Sequence, residues 1–200
     1  MKAVVLHEVD GPLTVEDVPA PGGGTVVDVH AAGVNFADLL IRRGRYPQMP
    51  ELPHVLGSEV AGELDGRRVL ALTRHQGGGY AEKAAVDPTW TFPLPAAASF
   101  EEGASFLMTF LTAYIPLHRQ LRVTNATTVL VHAGSGGVGS AAIQLAKQLG
   151  ATVIATVGII REEPVAAAAP VEGEAPAEPE VIGKGKKEEE GGEPAEGKKE

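Results

Sequence analysis

The sequence contains no cysteine at any of its 200 positions. Disulfide bonds, thiolate nucleophiles and the commonest zinc ligands are therefore excluded, and a reducing cytoplasm is compatible with the chain. Long apolar stretches are missing too, because no uninterrupted run approaches the roughly 18 residues of a membrane span. His7, Glu8 and Asp10 interrupt the N-terminus where a secretory signal still needs its apolar core. We expect a soluble, cytoplasmic chain with no membrane partner.

Positive charge is scarce as well, with 17 Lys and Arg against 26 Asp and Glu and a net charge of −9. Nucleic acids are bound through Lys and Arg that neutralise phosphates, so this balance argues against a nucleic-acid partner. Much of the acidity lies in residues 161–200, where 12 Glu face 5 Lys and 1 Arg. This Glu-, Pro-, Ala- and Gly-rich segment has no apolar periodicity and no aromatic residue, which predicts a disordered tail.

Residues 1–123 have the pattern of a mainly β domain. Short apolar runs with period-two alternation predict several strands, at 1–7, 26–31, 68–72 and 80–86. Within 26–31, the alternation predicts that one set of side chains faces a core (Val27, Val29 and Ala31) and the other set faces solvent (Asp28 and His30).

Two helices interrupt this β pattern. The first is predicted over residues 36–43, where Gly44 can end it in a left-handed conformation. The second is predicted from Ser99, a good N-cap, to about residue 121, with acidic residues in its first turn. Pro116 is expected to kink or end that helix.

Residues 127–157 change to an α/β pattern. Apolar strands at 127–133 and 151–157 flank a helix predicted at 138–149, which Gly150 ends. Such continuous apolar strands are typical of a parallel sheet that is buried on both faces. A sheet of two strands leaves an edge exposed, and this edge predicts a homodimer or aggregation.

The first of these strands runs into a glycine-rich loop, Gly134-Ser135-Gly136-Gly137-Val138-Gly139. Its G-x-G-x-x-G spacing is weak alone and can mark a flexible turn. Between a buried strand and a helix, however, it is the dinucleotide-binding fingerprint. Without side chains at Gly134 and Gly136 the backbone can approach a pyrophosphate, which meets free amides at the helix start. Gly139 allows the helix and strand to pack closely.

The end of the second apolar strand bears on coenzyme choice. No carboxylate stands there to bind the ribose 2′-hydroxyl that NADH carries, and Arg161 is placed to meet a 2′-phosphate. This favours NADPH over NADH. The alternative is that Arg161 is simply the first solvated residue of the tail.

Together these segments resemble the zinc-free, zeta-crystallin-like quinone oxidoreductases of the medium-chain dehydrogenase/reductase superfamily. The resemblance runs from residue 1 to about 157 and rests on several stretches: MKAVVLHEVDGP, HAAGVNFADLLIRRGRYP, GSEVAG, FLTAY and VLVHAGSGGVGSAAIQLAKQLGATVIATVG. It implies a GroES-like catalytic domain over 1–123 and a Rossmann NAD(P)-binding domain, partial here, over 124–160. Asn35 replaces a cysteine zinc ligand and Gly57-Ser58-Glu59 replaces Gly-His-Glu, so no metal site is expected.

The resemblance also implies a reaction and residues for it. A hydride would pass from NADPH to a quinone or another activated alkene, with Asn35 and Tyr46 as catalytic residues and Thr112 in contact with the nicotinamide. The coenzyme would be bound by two groups, Phe36, Ala37, Asp38, Leu39 and Leu40 on the nicotinamide side and Gly134, Ser135, Gly136, Gly137, Val138 and Gly139 on the pyrophosphate. Three alternatives stay open. Asn35 caps the helix that follows it, Tyr46 anchors its proline-rich loop, or Thr112 merely fills a helix.

The resemblance stops near Val157, and the expectation that follows is a chain that lacks the nicotinamide half of the Rossmann domain and has impaired turnover. A non-catalytic remnant or interaction protein with an acidic solubilising tail is the alternative function. The stretch AEPEVIGKGKKEEE resembles the acidic extension of the general-stress family of ribosomal proteins that bind 5S rRNA. A fusion, a frame error and an artificial sequence all remain open as origins of this join.

Overall fold

A computed structural model describes residues 1–74 and 77–157 of the chain. In chain order the elements are β1 Lys2–Leu6, β2 Leu13–Asp17, β3 Val26–Ala32, α1 Phe36–Arg42, β4 His54–Val55, β5 Glu59–Leu64, β6 Arg67–Thr73, β7 Lys83–Pro93, α2 Phe100–Ala104, α3 Leu107–Tyr114, a π-helical turn Ile115–Gln120, β8 Thr128–Val131, α4 Gly137–Gln148 and β9 Thr152–Ala155. The prediction of a disordered tail falls on residues outside this description. No helix in the described ranges is long and apolar enough to cross a membrane.

Strands β3, β5, β6 and β7 close into an antiparallel barrel. Strands β5 and β6 form a hairpin whose two turn residues, Asp65 and Gly66, both have positive φ, 51° and 71°. This is the pair of conformations that matches strand twist in a two-residue turn, and Asp-Gly is a favoured sequence for it. The barrel interior is filled by small and β-branched side chains, Val27, Val60, Val69, Ala71, Ala84 and Val86.

Strand β3 departs from the simple alternation that its sequence predicts. Val27 and Val29 do face the barrel interior, but the pairing with β5 shifts between Val29 and Ala31. After this bulge Ala32 packs inward, whereas Ala31 packs on the outside of the barrel against α2 and α3. Ala31 therefore faces a core as predicted, but not the one that Val27 and Val29 face, because one inserted residue reverses the faces of those that follow.

A second sheet, β2-β1-β4, lies beside helix α1. Leu6 of β1, Ile41 of α1 and Leu56 after β4 form its buried cluster. Helix α1 ends as predicted, because Gly44 has φ 64° and its N–H donates to the Ile41 carbonyl. The helix and the loop after it are thereby fixed against the sheet.

The second predicted helix is divided into three pieces. Ser99 caps α2, accepting a hydrogen bond from the Glu102 N–H at 3.1 Å, as expected. The helix then breaks before α3 begins at Leu107. The α-helical conformation ends just before Pro116, as expected, because α3 stops at Tyr114. The chain then widens into the π turn, in which the Leu121 N–H donates to the Pro116 carbonyl at 2.8 Å. A wider turn accommodates a residue that lacks an N–H donor.

The strand–helix–strand prediction is confirmed in its topology. β8 and β9 pair in parallel from Thr128–Thr152 to Val131–Ala155, and α4 connects them. The prediction that both faces of this sheet are buried was wrong for the described residues. Val129 and Val153 pack towards α4, whereas Leu130 and Ile154 on the opposite face are 55% and 54% exposed.

Candidate functional site

The glycine loop leaves the carboxyl end of β8 and opens helix α4. The Gly134 N–H donates to the Thr156 carbonyl at 2.9 Å, which ties the loop to the end of β9. A side chain at Gly139 would overlap the Ala133 carbonyl oxygen, and one at Gly134 would lie 3.0 Å from Ala155 Cβ. Both glycines are therefore required by close packing of loop, helix and strand, as the fingerprint predicts.

Gly136 differs from these two glycines. Its φ and ψ are −75° and 166°, an extended conformation that any residue adopts. A Cβ there would meet only the Ala133 carbonyl oxygen, at 3.4 Å. The described fold thus gives no reason for a glycine at this position, and its bare backbone leaves the start of α4 open. As N-cap, Gly136 has no side chain to accept from the first amides of α4. Uncapped amides at a helix start attract anions.

Helix α3 lies against this loop. A side chain at Gly137 would come within 3.0 Å of the Thr109 methyl group. Thr112 follows three residues later, which places it on the same side of the helix. Thr112 is exposed, and its hydroxyl donates to the Met108 carbonyl at 2.6 Å. The structure therefore brings α3 to the predicted pyrophosphate loop.

Asn35 occupies the N-cap position of α1, so the alternative that it caps this helix fits its place in the chain. Its side-chain amide donates to Glu59 Oε1 at 2.9 Å, and its backbone N–H donates to Asp38 Oδ2 at 2.8 Å. The Glu59 carboxylate thus holds the side chain of Asn35 and the Asp38 carboxylate holds its backbone, so the orientation of Asn35 is fixed.

Asp38 is placed differently from its expected role beside the coenzyme. Its side chain is 2% exposed. Besides Asn35, its carboxylate accepts the Gly57 N–H at 3.2 Å and the Tyr80 hydroxyl at 3.0 Å. Three protein donors satisfy this carboxylate, so Asp38 braces α1 against the neighbouring loop. The pKa of Tyr80 is raised, mainly by burial of its hydroxyl and then by the negative charge of Asp38.

The other residues of α1 present a mixed surface. Phe36 is 70% and Leu39 is 43% exposed, whereas Ala37 and Leu40 are partly buried. Phe36 and Leu39 therefore offer apolar contact area. Tyr46, beyond the helix, packs against the Leu6 cluster, as the anchoring alternative expects. Its hydroxyl makes no hydrogen bond to any residue of the described ranges.

Glu59 is the residue that the sequence reasoning did not assign to the site. It is 2% exposed on β5, and besides Asn35 it accepts the Met108 N–H on Oε2 at 3.0 Å. Burial raises the pKa of Glu59, an effect that its hydrogen bonds from Met108 and Asn35 oppose. The only local signal was a carboxylate inside the apolar stretch Gly57–Gly62, which must find a partner when buried.

The described residues contain no cluster of three or more His, Cys, Asp or Glu side chains placed to hold a metal ion. Arg161, the predicted contact for a 2′-phosphate, lies outside the described residues. Glu59 connects the predicted residue Asn35 to helix α3, which carries Thr112. Helix α3 in turn approaches the glycine loop where Thr109 lies beside Gly137.

Residues 21–96 match the family model of the alcohol dehydrogenase GroES-like domain. This span contains all four barrel strands and α1. Together with the solved structure described next, the match confirms the predicted fold class, a mainly β GroES-like domain followed by a partial Rossmann-like parallel sheet.

Among related proteins, the chain is 38% identical over 168 residues to a quinone oxidoreductase-like protein 2 homolog of Nematostella vectensis, covering 76% of this chain and 46% of that protein. It is 37% identical over 175 residues to quinone oxidoreductase of Rattus norvegicus, covering 79% and 53%. The quinone oxidoreductase from Thermus thermophilus, crystallised also in complex with NADPH, has a TM-score of 0.73 and 42% identity, covering 78% of this chain and 52% of that one. The chain spans about half the length of these relatives.

Proposed function

We propose, from the premise that this chain carries a GroES-like domain of the medium-chain dehydrogenase/reductase superfamily, that it is an oxidoreductase that uses NADPH. Its acceptor would be a quinone or another activated alkene, and it would need no zinc. One observation carries the proposal: an uncapped helix start with a bare Gly136 at the carboxyl end of a parallel strand pair. We further propose a catalytic domain over 1–123 and a nucleotide-binding part over 124–160, working in the cytoplasm.

The residues of the loop fit a pyrophosphate. Amides at the start of α4 supply hydrogen-bond donors and the positive end of the helix dipole, and no side chain at Gly136 blocks their approach. Ser135 and Val138 border this surface in the chain. We assign Arg161 to the 2′-phosphate on its position in the sequence alone.

The nicotinamide half would lie towards Asn35, Phe36 and Thr112. When bound, NADPH supplies a hydride. The chain contributes orientation and exclusion of water, which is much of what direct hydride transfer needs. Phe36 and Leu39 offer exposed apolar surface for a ring, and Asn35 is rigidly held beside it. Tyr46 has a hydroxyl with no partner in the described ranges, so it can orient an acceptor carbonyl or donate a proton to it.

The proposal is tested by substituting Gly136 with valine and following NADPH oxidation with a benzoquinone. We expect wild-type protein to oxidise NADPH and to melt at a higher temperature in its presence. Gly136→Val should lose both effects, because its side chain stands beside the amides at the α4 start, at a position where a Cβ meets only the Ala133 carbonyl oxygen at 3.4 Å. Gly22→Val is the matched control, since a Cβ at Gly22 meets nothing within 4 Å. A wild type with neither turnover nor an NADPH-dependent melting shift contradicts the proposal.

A second candidate function is a non-catalytic interaction protein. It is favoured by the exposure of Leu130 and Ile154 on one face of the β8–β9 sheet, which offers an apolar surface to another chain. Under this proposal the glycine loop has a structural role and binds no coenzyme, so NADPH leaves the melting temperature unchanged. The partner is a second copy of the chain.

A further inference from the structure

The carboxylate of Glu59 connects two elements that the proposed site needs. Oε1 accepts the side-chain amide of Asn35, the N-cap of α1, at 2.9 Å. Oε2 accepts the N–H of Met108, in the first turn of α3, at 3.0 Å. The residue before α3, Phe106, has no side-chain acceptor, so the cap of this helix comes from another element.

The pocket around Glu59 leaves it little freedom. Its side chain is 2% exposed, and a side chain at Gly33 would lie within 2.6 Å of its Cγ. A carboxylate in this position can accept from both donors at once, whereas a protonated carboxyl or a carboxamide has only one full acceptor oxygen for them. Simultaneous binding of Asn35 and α3 therefore depends on the ionised form.

We propose that Glu59 is a positioning residue that holds Asn35 and the start of α3 in fixed register, and thereby sets the placement of Asn35 relative to Thr112. This inference rests on the proposed function, because Asn35 and Thr112 act on the nicotinamide half only in an oxidoreductase. Glu59 itself touches neither coenzyme nor acceptor. Its contribution is geometric, and loss of the carboxylate should disturb orientation more than coenzyme affinity.

The kinetic test replaces the Glu59 oxygen that accepts from Asn35 with a donor. In Glu59→Gln the carboxamide can still accept from Met108 but presents its NH₂ to the NH₂ of Asn35. We expect kcat to fall at least tenfold, with the KM for NADPH changed less than threefold, because the glycine loop is untouched. Glu63→Gln, on the same strand, is the control that leaves kcat unchanged.

If Glu59 had a purely structural role, Glu59→Gln would lower the melting temperature without lowering kcat relative to the KM for NADPH. A fall in kcat at nearly constant KM therefore excludes that role. A Glu59→Gln kcat within twofold of wild type overturns the inference.

A ligand-free measurement separates this inference from the proposed function. The ¹⁵N-labelled side-chain amide of Asn35 should titrate in wild type with a midpoint above 4.5, and the titration should vanish in Glu59→Gln but persist in Glu63→Gln. The other titratable groups near Asn35 are Asp38, which accepts its backbone N–H, and Tyr80, whose hydroxyl donates to Asp38. Both are retained in these variants. If wild type lacks turnover but this titration is seen, the proposed function fails and the coupling of Glu59 to Asn35 stands. An Asn35 signal that ignores pH overturns the coupling itself.

Discussion

Among the glycines of the loop, Gly139 has the least room for a side chain. In the first turn of α4, alanine would normally be favoured over glycine by about 1 kcal/mol. Here its Cβ would overlap the Ala133 carbonyl and lie 2.9 Å from Gly134 Cα. We expect Gly139→Ala to lower the free energy of unfolding by about 2 kcal/mol in urea denaturation, since overpacking against backbone outweighs helix propensity.

The neighbouring position provides the comparison. Gly136→Ala meets only a carbonyl oxygen at 3.4 Å and should cost no more than about 1 kcal/mol, the usual range for a changed N-cap. Equal costs for the two substitutions would mean that the close contact at Gly139 is absent in solution.

Glu59 makes a prediction about pH. Because burial raises its pKa above the ordinary 4.5, the folded state binds this proton more tightly than the unfolded chain does. The stabilising contribution is complete below pH 4.5 and is lost as pH rises through the raised pKa. Wild-type stability should therefore fall relative to Glu59→Gln over this interval, as measured by urea unfolding at successive pH values.

Glu101 supplies a control of opposite sign. Hydrogen bonds at the start of α2, from its own backbone and then from Ser99, lower the pKa of this carboxyl. Stability should then rise relative to Glu101→Gln as pH increases towards 4.5. A wild type that also gains stability relative to Glu59→Gln as pH rises would show that Glu59 is not desolvated in the folded protein.

At the scale of elements, the cap of α2 tests how much one local signal stabilises. Ser99 accepts the Glu102 N–H, and Glu102 in return accepts the Ser99 N–H at 2.8 Å. We expect Ser99→Ala to cost about 1 kcal/mol of unfolding free energy, because an amide at the helix start loses its acceptor. Ser105→Ala, at the other end, should cost a few tenths of that, since its partner carbonyl is exposed to water. Equal effects contradict a specific role for the cap.

Helix ends that a glycine or an N-cap residue marks were predicted best from sequence, because their causes are local. Gly44 and Gly150 adopt positive φ, 64° and 78°, directly after helices whose ends were predicted within one residue. The strand β7 was predicted only in part. It begins at Lys83 and continues to Pro93, because pairing with β3 and then β6 supports a chain whose own sequence contains prolines.

Features that depend on distant partners were not accessible in this way. The bulge in β3 arises where the register with β5 changes. Strand β5 was missed, and with it the pairing of Glu59 to residues 24 and 49 positions away. Period-two patterns do not encode such separations. For the site, sequence alone predicted the glycine loop but not that the buried Asp38 carboxylate accepts three hydrogen bonds from the protein.

For the whole molecule, the sheet face with Leu130 and Ile154 decides whether the chain stays single. These side chains project from paired positions of β8 and β9, so they form a continuous apolar surface. We expect wild type to self-associate at micromolar concentrations in sedimentation velocity, and Leu130→Thr with Ile154→Thr to be monomeric. Threonine is polar but β-branched, a shape that strands favour.

Val15→Thr provides the matched control. Val15 is 70% exposed on β2, which belongs to a different sheet from β8 and β9. Its substitution should leave the sedimentation coefficient unchanged. A wild type that stays monomeric across the concentration range would remove the second candidate function.

The cap that Glu59 places on α3 also has a kinetic meaning. A helix of eight residues on its own would open and close within microseconds, and its first amides would swap hydrogen for deuterium almost freely. Because the acceptor belongs to a barrel strand, the Met108 amide can exchange only when that strand moves away. The first turn of α3 therefore inherits the slow isotope exchange of the barrel and behaves as part of its cooperative unit.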